Sequence, residues 1–272
     1  MTPENFARNI LCSSSLADKL ASFEGSSFKL GKGESIPDSP ARSNQLKFSS
    51  EKLKFPKVSQ FHQNEKRGMA LHFFANHELL AIEMMAAFLL KFPTESKDDV
   101  KLKSGVLSAL KDEQKHLKMY LERMGDLGVE FGDYPLNDFF WKQMKYLDTK
   151  EEFLAVMSLT FETANLDFCL FYREVFSEVH DFDSAKIMQA IFEDEVSHVK
   201  LGLKFLDKWK EDQELFDYYK SLLPENLSPS RSKGIHFNAQ VRRDLGFDPA
   251  FVEKIKNYRE ENRIFNRRED VQ

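Results

Sequence analysis

From residue 65 onward apolar positions recur at spacings of three and four, and ahead of it they do not. This period predicts four long helices. The first spans about residues 65–90 and stops before Phe92-Pro93, because the residue ahead of a proline is driven out of the helical region. The second covers about 96–127, opens on Lys97, Asp98 and Asp99, and closes at Gly128. A connection through Gly132-Asp133-Tyr134-Pro135 leads to a short helix near 138–147. The third and fourth long helices follow at about 150–177 and 184–210, separated by a turn over 178–183. Short links within each pair and a longer one between pairs describe a bundle of two helical hairpins.

The flanks read differently. Residues 1–23 form a short helical segment with Phe6, Ile10, Leu11, Leu16 and Leu20 as its apolar positions. Residues 24–63, rich in Ser, Gly, Pro and Lys, have neither helical period nor strand alternation and read as an extended arm. Phe28, Leu30, Leu46, Phe48, Leu53, Phe55 and Phe61 are nevertheless too frequent for a linker, so the arm is expected to pack across the bundle. Beyond 210 the pattern predicts one more short helix, a loop over 224–233 and a charged tail ending Arg267-Arg268-Glu269-Asp270. The expected division is therefore 1–64 as helix and arm, 65–210 as bundle, and 211–272 as helical extension.

Composition agrees with an all-α fold. The 272 residues include 26 Phe but only 11 Gly and 9 Pro, which is bulky filler with few turn formers. A net charge of −5 argues against a broad basic surface for duplex nucleic acid. Cys12 and Cys169 are too few for a disulfide framework, no CxxC pair offers a zinc site, and Cys169 reads as a small buried hydrophobe. The start, with Pro3, Glu4 and Asn5, does not resemble a signal peptide. The greasy stretch 79–90 is broken by Glu83 and falls short of the ~20 residues a bilayer requires. A cytoplasmic protein without membrane association is expected.

The chemistry lies inside the bundle. The second helix carries Asp112-Glu113-Gln114-Lys115-His116, and the fourth carries Asp194-Glu195-Val196-Ser197-His198. In D-E-x-x-H the Glu and His share one helix face. A single copy usually marks a solvated face. With this composition chance supplies about 0.05 matches, so two copies arise roughly once in a thousand such chains. Both motifs also fall on core-facing stripes, Val106, Leu110, Glu113, Leu117, Tyr120 and Ile187, Ile191, Glu195, His198, Gly202. Glu162 occupies the same kind of position among Leu154, Ser158, Asn165, Cys169 and Tyr172, as does Glu78 among Leu71, Phe74, Ala81 and Met85.

Hairpin geometry relates the four acids. The midpoint of Glu78 and Glu113 falls just past Pro93, and that of Glu162 and Glu195 at the edge of the second turn, so each pair is expected to meet across its hairpin. The near-equal separations of Glu78 from Glu162 and of Glu113 from Glu195 read as a degenerate repeat of one hairpin. Four bare carboxylates in one core layer would carry a prohibitive desolvation and repulsion cost. Two divalent cations cancel their charge, and hard carboxylate oxygens with imidazole suit iron or manganese. One Glu from each of two helices plus Glu-x-x-His from the other two is the known pattern of ferritin-like carboxylate dimetal proteins, and the assignment is a match to it. The expected ligands are Glu78, Glu113, His116, Glu162, Glu195 and His198, holding two iron ions, or manganese, or a mixed pair. Asp112 is positioned to support His198 and Asp194 to support His116, since a metal-bound imidazole usually gives its other N–H to a carboxylate.

Glu78-Leu-Leu-Ala-Ile-Glu83, Asp112-Glu-Gln-Lys-His116, Phe161-Glu-Thr-Ala-Asn-Leu-Asp167 and Asp194-Glu-Val-Ser-His198 together resemble the ferritin-like family called domain of unknown function 455. Gly132-Asp-Tyr-Pro135 with Trp141, Lys233-Gly-Ile-His-Phe-Asn238, and Gly246-Phe247 extend the resemblance over about residues 14–247. It implies a ferritin-like bundle with a dimetal site on the same six residues, and supplies no substrate. Two departures stand out: Asn165 where the family leads one to expect Gly, and Asn76-His77 where His is expected one place earlier.

Glu83 is the rival to Glu78 on the first helix. Five residues rotate a helix by about 140°, so the two cannot serve one metal pair, and Glu83 is expected behind the ligands or in an ion pair. Tyr120 is a candidate redox or hydrogen-bonding phenol, with core filler the plainer reading. His72 and His77 read as packing or surface residues, and His62, His180 and His236 carry no signal. Arg242, Arg243, Arg263, Arg267 and Arg268 are interleaved with acids and read as a solvated tail. The leading expectation is a di-iron oxidoreductase that uses O2 to oxidise or hydroxylate a small organic substrate. The alternative is an iron-binding or peroxide-detoxifying protein without one. The ferritin-like context also resembles the tRNA-hydroxylating dimetal enzymes, which makes RNA a candidate partner that no basic face supports.

Overall fold

The computed structural model describes residues 1–25 and 27–259. Its described residues are helical and contain no strand beyond isolated bridges. Two short helices, α1 (Pro3–Cys12) and α2 (Leu16–Lys19), precede the long ones, α3 (Asn64–Lys91) and α4 (Lys97–Asp126). The third long span is composite: α5 (Lys150–Val156) runs through a π-helical segment (Met157–Glu162) into α6 (Thr163–Glu178). After α7 (Phe182–Trp209) come α8 (Leu215–Ser221), α9 (Ala239–Asp244) and α10 (Pro249–Asn257). The chain is an all-α bundle in which α3 packs along α4, α6 along α7, and α4 along α7.

Local chemistry sets the long helices. Ser96 and Asp99 close a reciprocal capping box at the start of α4, with the Ser96 hydroxyl 3.1 Å from the Asp99 N–H and the Asp99 carboxylate 3.0 Å from the Ser96 N–H. Thr149 and Glu152 do the same for α5. Asp181 accepts from the Ser184 N–H at the start of α7 and also pairs with Arg67 and Arg123, tying the second hairpin to the first. Gly128, at φ +76°, ends α4 in the left-handed conformation that glycine adopts without steric cost.

In α3 every residue from Leu79 to Leu90 is buried, so this half of the helix has no solvent face. The face that α4 leaves open is covered by α1 through Phe6, Ile10 and Leu11. Both α3 and the span Lys150–Glu178 are long and apolar enough to cross a membrane, but their most apolar windows are 83% buried inside the protein. Here that apolarity serves the bundle's own core.

The arm lies against the bundle, with Phe28, Leu46 and Phe61 buried and Leu30 exposed. A buried ion cluster anchors it: Glu83 of α3 accepts from Arg42 at 2.6 Å and pairs with Lys19 at 3.1 Å. Trp141 Nε1 donates to the Asp38 carbonyl at 2.8 Å. At the other end Arg242, read from sequence as part of a solvated tail, has no exposed surface. Its two terminal nitrogens each lie 2.8 Å from a carboxylate oxygen of Asp167 on α6. The sequence reading fails because burial follows the partner, and the partner lies on a distant helix. Arg243 is exposed, as expected, while Arg263, Arg267 and Arg268 lie outside the described residues.

Two further differences concern helices. The first segment breaks at Ser13–Ser15, where Ser15 caps α2. Between 210 and 259 the described residues form three short α-helices where one is expected, because Asn238 and Asp248-Pro249 start α9 and α10 with side-chain caps.

His72 is wholly buried, and its Nε2 accepts the Gly132 N–H at 3.0 Å, which pins the inter-hairpin connection to α3. That bond needs a neutral ring, and burial lowers the pKa to about 4, from about 6.5 in an unfolded chain. Below about 6.5 the unfolded chain therefore binds the proton that the folded one refuses, so stability falls as pH drops from about 6.5 towards 4. Thermal melts across this range are expected to show the loss in the wild type and a shallower loss in His72→Gln; identical slopes would remove His72 from the account.

Candidate metal centre

The second and fourth long helices place their D-E-x-x-H motifs face to face. Glu113 and His116 descend from α4, Glu195 and His198 from α7, Glu78 from α3, and Glu162 from the end of the π segment. All six are at most 4% exposed. Their ligand-type atoms fall into two groups, Glu78, Glu113 and His116, and Glu113, Glu162, Glu195 and His198, each contained within 4.8 Å. Glu113 belongs to both. One of its oxygens is 3.3 Å from His198 Nδ1 and the other 3.5 Å from His116 Nδ1.

Two local features bring Glu162 into this layer. The π turn inserts a wider coil, seen in the Thr163 backbone N–H donating to the Ser158 carbonyl five residues back, and the Thr160 and Thr163 hydroxyls donate to the Ala155 and Ser158 carbonyls beside it. Gly202, one turn beyond His198, lets α7 approach that segment: a Cβ there would lie 2.2 Å from the Ser158 Cβ. A larger residue would separate Glu162 from Glu195 and His198.

The outer nitrogens of both imidazoles are taken. His116 Nε2 lies 2.9 Å from Asp194 Oδ2, and His198 Nε2 lies 3.2 Å from Asp112 Oδ2, each pairing crossing between α4 and α7. With Nε2 carrying the proton, Asp accepts and Nδ1 turns its lone pair inward. Asp194 also holds Lys115, and its pKa falls to about 2, first through the His116 contact.

Inside the layer the polar atoms are orphaned. The Oε2 atoms of Glu113, Glu162 and Glu195 and the Nδ1 atoms of His116 and His198 are buried without a hydrogen-bond partner. Several sit 3.3–3.7 Å from an oppositely charged neighbour, but not in hydrogen-bonding geometry. Such atoms are costly unless something else engages them. Burial pushes Glu78 well above the usual carboxylate range, and it raises Glu162 to about 8 with help from the charges of Glu195 and Glu113. Burial acts on Glu113 in the same direction, but the close approach of Glu78, His116 and His198 outweighs it and holds this carboxylate well below its usual value. Burial likewise opposes protonation of both imidazoles, and the surrounding carboxylates outweigh it, raising their pKa values. Lone pairs from four carboxylates and two imidazoles aimed at common points fit a pair of divalent cations.

A cavity of about 530 Å³ opens directly on this layer, and Glu78, Glu113, Glu162 and Glu195 form part of its wall. The rest is largely aromatic, including Phe74, Phe139, Phe140, Phe161, Phe168 and Tyr172. Phe55 of the arm, Asn137 of the inter-hairpin connection and Arg231 of the C-terminal extension complete it. Sequence reasoning misses these residues because they come from irregular segments without a period.

The remaining candidates are placed as follows. Glu83 lies in the Lys19–Arg42 ion cluster, the ion-pair alternative of the two expected for it, and is not brought to the acidic layer to back the ligands; the helix rotation that separates it from Glu78 is the reason. Tyr120 lines the cavity beside Glu78 and Glu113, and its hydroxyl donates to Met188 Sδ at 3.5 Å. Burial raises its pKa well above the usual phenol value, so it stays protonated. Asn165, the departure noted in the sequence, donates from Nδ2 to Glu195 Oε1 at 2.8 Å. His77 stacks on Phe140 at the cavity wall, and Cys169 is buried.

Fold and site together define an all-helical bundle with a buried carboxylate–imidazole cluster able to hold metal. The chain belongs to the family described as protein of unknown function (DUF455), whose model matches residues 5–253. No curated protein and no solved structure matches it.

Proposed function

We propose that the protein is a ferritin-like dimetal oxidoreductase that binds two iron ions, with manganese or a mixed pair as the alternative, and uses O2 to oxidise or hydroxylate a small organic substrate. The observation that carries this reading is the shared wall: one aromatic cavity is bounded by all four clustered glutamates. A protein that only stores iron or removes peroxide needs a path for ions or peroxide and has no use for an aromatic chamber of about 530 Å³.

Bound there, a ferrous pair supplies electrons for the reduction of dioxygen. The chain's own groups do the rest. Glu113 lies between the two imidazoles and would be shared by both ions, while Glu78 would serve the His116 side and Glu162 and Glu195 the His198 side. Asp194 and Asp112 fix the imidazole tautomers. The aromatic wall excludes water and holds the substrate beside the carboxylate layer. Arm, connection and C-terminal extension each contribute to that wall, which gives the segments outside the bundle a role that cage packing would not.

The test is dioxygen uptake by anaerobically prepared, Fe(II)-loaded protein. Uptake above that of the same Fe(II) in buffer, with a native mass of a small assembly, is expected. No uptake would overturn the oxidoreductase reading, and a large shell holding many irons per chain would favour iron storage.

A further inference from the structure

The cavity has two unlike ends. At the inner end Glu78, Glu113, Tyr120, Met157 and Phe161 are buried. Towards the outside Phe73, Phe139, Phe140 and Phe168 are half-buried and Arg231 is exposed. Among the described residues lining it, Arg231 is the one lysine or arginine, and so the one permanent cation. The Arg231 guanidinium carbon lies 5.3 Å from the centroid of the Phe139 ring.

One wall is a stack of rings. Phe140 and Phe161 stack with centroids 4.1 Å apart and planes 6° from parallel, and His77 continues the stack on Phe140 at 4.8 Å and 18°. A wall of packed rings favours an apolar body against it.

Arg231 is also held in place. It belongs to the turn Pro229–Ser232, and the Ser232 carbonyl accepts from Arg242 at 2.7 Å. Arg242 in turn is fixed by Asp167. The cation thus sits on a segment anchored to α6.

We propose that the cavity takes a compact apolar molecule bearing one anionic group, with its apolar body towards the carboxylate layer and its anionic end at Arg231. The orientation rests on the dimetal reading. Two divalent ions cancel the four carboxylates, so the inner end offers an anion no net positive charge and would strip its water. At the rim the anion keeps part of its hydration and gains a charge-assisted bond to the guanidinium.

The test is calorimetric titration of the full-length, iron-loaded protein with 2-naphthylacetate and with its neutral amide, using wild type and Arg231→Gln of measured iron content. The acid is expected to bind wild type at least tenfold more tightly than the amide. In Arg231→Gln the acid should fall to the amide's affinity, while the amide binds as in wild type and so reports an intact cavity. Equal affinity of acid and amide in wild type would overturn the anionic end. Acid preference surviving in Arg231→Gln would place that end on the metals and overturn the orientation. Binding of neither probe at millimolar concentration would overturn the ligand class. Failure to load iron would instead sink the dimetal reading, which separates the two claims.

Discussion

Replacing Glu113 by Ala is expected to abolish binding of both metals, whereas Glu78→Ala should leave about one per chain and Glu162→Ala between one and two. The inequality follows from geometry. Glu113 is the residue common to both candidate groups, with one oxygen towards each imidazole. Removing it takes a ligand from each position and also the charge that offsets both cations. Removing Glu78 leaves only Glu113 and His116 on one side, too few to hold a divalent ion firmly, while the other group is untouched. Glu162→Ala leaves three ligands on the His198 side, as many as the His116 side has in the wild type, so it should weaken that ion and cost less than one full metal. Elemental analysis of the purified variants checks this. Equal losses in all three would show that Glu113 does not span the pair.

The second large effect lies away from the cluster. Glu83→Ala should lower the unfolding free energy by about 3–5 kcal/mol while leaving metal content near two per chain. It strips the carboxylate from two buried cations, Lys19 and Arg42. Burial already lowers the Lys19 pKa, so lysine can escape by losing its proton, but arginine cannot. Replacing all three by apolar residues of similar volume should recover most of the loss, since the cost is one of unpaired charge. Denaturant titration with metal analysis measures both quantities. Loss of metal in a folded Glu83→Ala protein would mean that the wrong face of α3 has been assigned to the cluster.

These two glutamates mark how far the sequence can be read. A buried acid on a core stripe at the height of a D-E-x-x-H motif is visible from spacing alone, because helical period and hairpin symmetry both constrain it. That is how Glu78 and Glu162 are selected before any coordinates. The π turn ahead of Glu162 is invisible by the same route, since a stripe of threes and fours does not register one widened turn. The Glu83–Lys19–Arg42 and Asp167–Arg242 pairs are hidden for another reason. Each joins segments far apart in the chain, and a lone Lys or Arg carries the same sequence signal whether its partner is water or a buried carboxylate. The cavity is hidden for both reasons, because its walls come from arm, connection and extension as well as from the bundle. Cap residues at Asn238 and Asp248 were readable and predict the short helices that periodicity overlooks.

Whether Glu78, Glu113, His116, Glu162, Glu195 and His198 hold two metal ions is decided by anomalous diffraction at the iron absorption edge from crystals of the iron-loaded wild type. Two peaks per chain are expected, one between Glu78, Glu113 and His116 and the other between Glu113, Glu162, Glu195 and His198. A single peak, peaks outside this layer, or no peak from protein that has been offered iron would contradict the two-ion assignment.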